Sequence, residues 1–224
     1  MTKSIIVALL AICMLFSFAA CRNADGNVST TESENETVST EASTEASTEA
    51  STEASVEASE EESATAVAYT KGIIENDVYT NEWANLKFEL DATTWKQGTA
   101  ADYSSYENVN TDCGLIAGLS TEGRQLAIVF EKKIDDTSVE QYLKNVETAM
   151  SSIINGYTFS KQYTKTIAGE DYVGIDATLS QNGVTVYQAF YVRIYDGKYI
   201  AITVTSVTSK DEMDSAIAKV TALK

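Results

Sequence analysis

DYVGIDATLSQNGVTVYQAFYVRIYDGKYIAITVTS (Asp171–Ser206) is the stretch whose reading decides the fold. Apolar and polar residues alternate through most of it, the period of a strand with one face buried. Asn182-Gly183 signals a two-residue hairpin loop and pairs Gln181 with Val184. That register sets Val173 opposite Val192, Ile175 opposite Phe190 and Leu179 opposite Val186, so the aliphatic faces coincide as a half-buried sheet requires. At Asp196-Gly197 a two-residue loop would put Ile194 opposite Tyr199 and mix the faces. A three-residue loop, Tyr195-Asp196-Gly197 with glycine in the left-handed bulge position, sets Val192 opposite Ile200 and is the expectation here.

The register exposes a second face, carrying Tyr172, Asp176 and Thr178, then Tyr187, Tyr191 and Arg193, then Tyr199, Thr203 and Thr205. Tyrosines interleaved with threonines and one arginine suit a wetted recognition surface. They equally suit a sheet face half-covered by a loop or by the N-terminal strand, with hydroxyls at the rim. Tyr172, Tyr187, Tyr191, Arg193 and Tyr199 are therefore candidate binding residues, and both readings stay open. Asp176 is the candidate ion-pair partner of Arg193, although in this register Arg193 falls opposite Tyr172.

Outward from this meander, strands are expected at Ile73–Tyr79, Leu86–Leu90, Gly114–Ser120, Gln125–Glu131 and Tyr157–Thr166. Thr137-Ser138-Val139-Glu140 is a capping box, followed by Val139, Tyr142, Leu143, Val146, Ala149, Met150, Ile153 and Ile154 on one helical face and a stop at Gly156. Ser209-Lys210-Asp211-Glu212 is a second box, opening a terminal helix with Met213, Ile217 and Val220 inward. Cys113, on an apolar alternation with Leu115, Ala117 and Leu119, reads as a buried strand thiol. Residues 68–224 thus form one α+β domain, an antiparallel β-sheet flanked by helices.

From Tyr79-Thr80-Asn81-Glu82-Trp83-Ala84-Asn85-Leu86-Lys87-Phe88-Glu89-Leu90 to Trp95 the chain resembles the opening of PsbP-like domains. The later order is similar as well: a strand pair, a long capped helix after Asp135-Asp136, a three-stranded meander and a C-terminal helix. Asp91-Ala92-Thr93-Thr94 stands where the pattern usually has a proline before the tryptophan. The resemblance implies a PsbP-like antiparallel sheet with flanking helices and a non-enzymatic binding or assembly role. It supplies no catalytic residues, so Trp83 and Trp95 are read first as packing residues.

The N-terminal third has a different character. Residues 1–20 read as a lipoprotein signal peptide: Lys3 supplies the charge, Ile5 to Phe18 is almost wholly apolar, and Ala19-Ala20 precede Cys21. Phe18-Ala19-Ala20-Cys21 resembles the bacterial lipobox, whose cysteine thiolate takes a diacylglyceryl group. Lipidation at Cys21, with palmitate as an expected acyl chain, would hold the protein to the membrane on its extracytoplasmic face.

Residues 21–67 read as the lipidated cysteine plus a disordered acidic linker. Ser-Thr-Glu-Ala repeats dominate it, and residues 22–65 hold twelve acids against one arginine. Glutamates spaced by four would repel along a helix, and there is no apolar face to bury. Such a coil has a root-mean-square span of roughly 35–40 Å and a drawn-out ceiling of roughly 150–165 Å.

Composition removes several chemistries. With no histidine in the chain, His-dependent triads, His-ligated zinc and imidazole acid–base catalysis are absent. No phosphate loop, metal set or cofactor motif appears, and a net charge of −17 argues against a nucleic-acid partner. The leading expectation is a membrane-anchored lipoprotein presenting a non-catalytic module to a protein or glycan partner at the cell surface. An accessory subunit of an envelope or transport complex comes second, and a hydrolase with a non-His site third. Asp135-Asp136 belongs to a helix N-terminus, where acids are stabilised without any catalytic role.

Overall fold

The computed structural model describes residues 67–119 and 122–224. Cys21, the signal peptide and the repeat linker lie outside the described residues. Eleven strands and three helices follow in the order β1 (Ile73–Glu75), β2 (Val78–Asn81), β3 (Leu86–Glu89), α1 (Ala100–Tyr106), β4 (Thr111–Ala117), β5 (Arg124–Lys132), α2 (Val139–Ile153), β6 (Tyr157–Phe159), β7 (Tyr163–Ile167), β8 (Glu170–Gln181), β9 (Val184–Tyr195), β10 (Lys198–Ser206), α3 (Lys210–Ile217) and β11 (Val220–Thr221). The expected α+β class, an antiparallel sheet with flanking helices, is what the chain forms.

The large sheet runs β4-β5-β10-β9-β8-β6, with β7 also paired to β8, and β1-β2-β3-β11 make a second sheet. The hairpin at Asn182-Gly183 has the expected register, with Val173 opposite Val192 and Ile175 opposite Phe190. Both turn residues take positive φ, 53° and 76°, the backbone that matches strand twist.

The next turn corrects the sequence reading. Tyr195 pairs with Lys198, so Asp196-Gly197 is a two-residue loop and Val192 faces Ala201 rather than Ile200. The expectation assumed that only one face of the sheet is buried. Both are. Under α1 and α2 lie Ile175, Ala177, Phe190, Val192, Tyr199 and Ala201 in one cluster and Cys113, Ile116, Ala127 and Val129 in another. The other face buries Leu126, Ile128, Tyr172, Tyr191, Ile200, Ile202 and Val204 against the small sheet and α3. With apolar cover on both sides, Ile200 and Tyr199 can each point to a core.

Three further boundaries differ. Ile73–Tyr79 is not one strand: Asn76-Asp77, at φ 49° and 60°, turns β1 back onto β2. Tyr157–Thr166 is broken at residues 160–162 into β6 and β7, both on β8. Val220 leaves the terminal helix and pairs with Phe88 as β11, closing the small sheet.

The cap of α2 is Ser138, one residue after the expected Thr137, its hydroxyl accepting from the Gln141 amide. Ile153 ends that helix 56% exposed rather than packed inward. Ser209 caps α3 as read. The helix α1, absent from the sequence reading, carries its own box of Thr99 and Asp102.

Candidate functional site

The tyrosine–arginine face is a packed layer, the covered arrangement of the two that the sequence left open. Tyr172 and Tyr191 are buried, and Tyr187 and Arg193 are half-buried beside them. Tyr199 is buried on the opposite face, its ring 4.7 Å from that of Tyr142 and its hydroxyl donating to the Thr137 carbonyl. The two-residue turn at Asp196-Gly197 is the cause, because it shifts β10 by one residue and reverses every side chain on it.

One polar network threads this layer. Tyr163, Gly174 and Tyr191 stand in a row across β7, β8 and β9. Only a glycine fits between the rings, since a Cβ there would lie 2.8 Å from Tyr191. The Tyr163 hydroxyl donates to Asp176 Oδ1 at 2.6 Å, and Lys210 of α3 sits 3.1 Å from Oδ2. Lys210 also reaches Asp214, which pairs with Lys165. Burial, then the bond to Asp176, pushes the Tyr163 pKa upward, so the hydroxyl stays protonated and donating. This network fastens α3 to the sheet. Asp176 is thus held by Lys210, and Arg193 turns to Glu170 instead, 3.6 Å away.

A second cluster lies where β4 and β10 begin and β5 and β9 end. The Arg193 guanidinium is 5.4 Å from the Tyr172 ring centre and 5.1 Å from that of Tyr195. Trp83 sits 4.9 Å from Tyr195 and 5.0 Å from Tyr69, and its indole N–H donates to Asp196. Tyr69 donates to Asp112 at 2.5 Å and lies 3.9 Å beneath the Lys198 ammonium. Trp83 and Trp95 are both buried, in agreement with the packing role read for them.

The loops of this end are tied edge to edge. The Lys132 amide donates to the Asn110 carbonyl and the Lys133 amide to that of Gly197. Exposed apolar side chains gather on the same rim: Val109 at 95%, Ile134 at 55%, Tyr195 at 42% and Ile194 at 39%. The sequence reading missed this rim, because its residues come from three separate stretches of the chain and only the strand register unites them.

Elsewhere the chemistry is quiet. Among the described residues no group of His, Cys, Asp and Glu is placed to hold a metal ion. Burial pushes the Cys113 thiol up to about 12, far from a reactive thiolate. Asp135 accepts from the Thr137 hydroxyl and amide ahead of α2, and these bonds, the hydroxyl's first, lower its carboxyl pKa. A groove of about 500 Å³ beside α2 is lined by Lys144, Glu147, Thr148 and Phe159, with Lys144 paired to Glu147 and the Thr148 hydroxyl donating to the Lys144 carbonyl. No helix of the described residues is long and apolar enough to cross a membrane.

Compared with known proteins, the chain matches no family model and no curated protein. Solved structures similar to it include LpqN of Mycobacterium tuberculosis, involved in cell envelope biogenesis, at 12% identity over 60% of this chain and 76% of that one, TM-score 0.37. Another is PA94 of Pseudomonas aeruginosa, of unknown function, at 12% over 56% and 94%, TM-score 0.33. A third is the cyanobacterial PsbP, CyanoP, of Synechocystis, at 14% over 70% and 97%, TM-score 0.43. At these values the likeness says nothing of ligand, partner or activity.

Proposed function

We propose that this chain is a lipoprotein of the extracytoplasmic face, anchored through lipid on Cys21, whose folded domain works by contact rather than by catalysis. One observation supports the contact reading above others. Tyr163, Tyr199 and Asp176 of the sheet are engaged in internal bonds, whereas four large apolar side chains, those of Val109, Ile134, Ile194 and Tyr195, stand exposed at one end of it. Exposed apolar groups gathered in one place mark an interaction surface more often than a catalytic one.

The anchor is tested by metabolic labelling with an alkyne palmitate, followed by membrane fractionation of wild type and Cys21→Ala. The expected result is a labelled, membrane-bound wild type and an unlabelled variant. An unlabelled wild type would overturn the anchor. The contact reading is tested in cells with photo-crosslinkers at positions 109 and 151. Adducts from the rim and none from the α2 groove are expected; the reverse pattern would refute it.

A further inference from the structure

We infer that the occupant of this rim is a second copy of the chain, docked about a two-fold axis that passes beside Ile134. The inference rests on the contact reading above and names its partner.

The order of charges supplies the first argument. Lys132-Lys133-Ile134-Asp135-Asp136 runs basic, basic, apolar, acidic, acidic. Reversing its direction exchanges the signs about Ile134. Two such segments laid antiparallel across a two-fold axis set Lys132 of each copy against Asp136 of the other, with the two Ile134 side chains meeting between them. A two-fold interface requires this self-complementarity, because a residue that meets another must also be met by it from the other copy.

The fold leaves the outer pair of charges available. Lys132 ends β5 exposed and has no ion pair among the described residues. Lys198 stands directly opposite it on β10. Like charges so placed repel, and a carboxylate brought in by a second copy relieves that repulsion. Asp136 is fully exposed, and its contact with Lys133 is a loose 3.8 Å. Ile134, between them, is 55% exposed. The inner pair is committed within the loop, where Lys133 donates to the Asp135 carbonyl and Asp135 accepts from Thr137.

The surroundings continue the pattern. The Lys133 amide donates to the Gly197 carbonyl, which brings the turn between β9 and β10 alongside. There Asp196 and Lys198 flank Gly197, again one of each sign. Tyr195, at the end of β9, is held by Trp83 and Arg193 and adds a rigid, partly exposed ring. Asp112, Asp135 and Asp196 accept from neutral donors and keep their charge. The rim thus presents both signs beside apolar side chains. A surface of one sign would be repelled by part of it, whereas a second copy brings the complement of each outer charge. The acidity of the rest of the chain weighs little here, since charges beyond about 8 Å are screened at physiological salt.

The experiment follows the full mature chain with Cys21→Ser, which lacks the anchor, by analytical ultracentrifugation from micromolar to millimolar concentration at physiological salt. The parent should dimerise reversibly. Lys132→Asp and Asp136→Lys should each weaken the dimer roughly tenfold, because each turns two attractions into two repulsions. Mixed in equal amounts, these two variants should regain the parent's affinity, since their reversed charges complement one another. Ile134→Asp should abolish the dimer, and Ile153→Asp, on the exposed end of α2, should leave it unchanged. All four side chains are exposed, and circular dichroism checks each fold.

A parent that stays monomeric throughout would overturn the proposal. So would single variants that dimerise as tightly as the parent, or a mixture of them that stays monomeric. The crosslinker at position 109 separates this from the contact reading. Adducts of twice the chain's mass agree with a second copy. Adducts with a different protein, from a monomeric parent, would sink the dimer and leave the contact reading standing.

Discussion

The hydroxyls of Tyr163 and Tyr191 meet 3.2 Å apart above Gly174, on strands that flank it on either side. A methyl at Gly174 would fall 2.8 Å from one ring and 3.2 Å from the other. Alanine lowers the entropy of the unfolded chain by roughly 0.5–1 kcal/mol relative to glycine in a strand, which favours folding. Overpacking costs roughly 1–3 kcal/mol and wins. Gly174→Ala should therefore lower stability by about 1–2 kcal/mol in urea unfolding. It should also loosen α3, visible as faster hydrogen exchange over Lys210–Ile217, because the Tyr163–Asp176–Lys210 chain shifts with the ring.

Cys113 is 1% exposed in β4, and burial, followed by the nearby Glu107 charge, raises its pKa to about 12. The unfolded thiol titrates near about 8.5, so the folded state holds its proton over a higher range. Its contribution to stability is complete below about pH 8.5 and is lost as pH climbs toward the folded value. The difference in urea midpoint between wild type and Cys113→Ala should move against wild type as the pH rises through that window. At neutral pH a thiol reagent should label Cys113 only at the rate of unfolding.

Much of the meander was legible because one rule decides it. Asn182-Gly183 fixes a register, and the coincidence of Val173 with Val192 confirms it within the same few residues. The next turn failed under the same logic, because the rule presumes a wet face. What covers the second face is the small sheet and α3, built from residues more than 80 positions upstream and from the C-terminus, and local patterning carries no trace of them.

Tyr172, Tyr191 and Arg193 were correctly grouped by register, and for the same reason the sequence could not decide whether they are covered. Asn76-Asp77 was readable in principle, since both residue types tolerate positive φ, but the flanking apolar residues masked the turn as one strand. The rim of Val109, Ile134 and Tyr195 was not readable at all until the strand ends were aligned.

Two glycines separate backbone freedom from space. Gly197 has φ +70° and open space where a Cβ would stand, so Gly197→Ala should cost only the left-handed backbone term, about 1 kcal/mol. Gly72 has φ +87° and would set its Cβ 2.6 Å from both the Thr80 carbonyl oxygen and the Tyr79 ring. Gly72→Ala should cost more, about 2–3 kcal/mol, because strain adds to a clash with backbone. It should also free the Tyr69 arm, whose release from Trp83 would change the indole fluorescence. Equal losses in the two variants would mean that packing around Gly72 relaxes without cost.

Asp91 offers the clearest acid-side titration. Its Oδ1 accepts from the Thr94 amide at 2.5 Å, the Thr93 amide at 3.0 Å and the Thr93 hydroxyl at 2.8 Å, while Lys219 approaches Oδ2 at 3.4 Å. The Thr94 amide is the largest of the causes that hold this carboxyl well below the usual carboxylate range. A depressed folded pKa contributes stability in full above the unfolded value of about 3.9, and that contribution is lost as pH falls through the folded value. Hydrogen bonds to a charged group add roughly 1.5–3 kcal/mol, and partial exposure reduces this to about 1 kcal/mol.

Asp91→Asn keeps an acceptor and loses the charge, so it should be less stable than wild type at neutral pH by about that amount. The gap should close as the pH falls below about 4, where the wild-type carboxyl begins to protonate in the unfolded chain. Trp95, buried directly after this turn, reports the change through its fluorescence in urea titrations at each pH. A gap that persists unchanged into acid would show that the turn depends on the geometry of the acceptor and not on its charge.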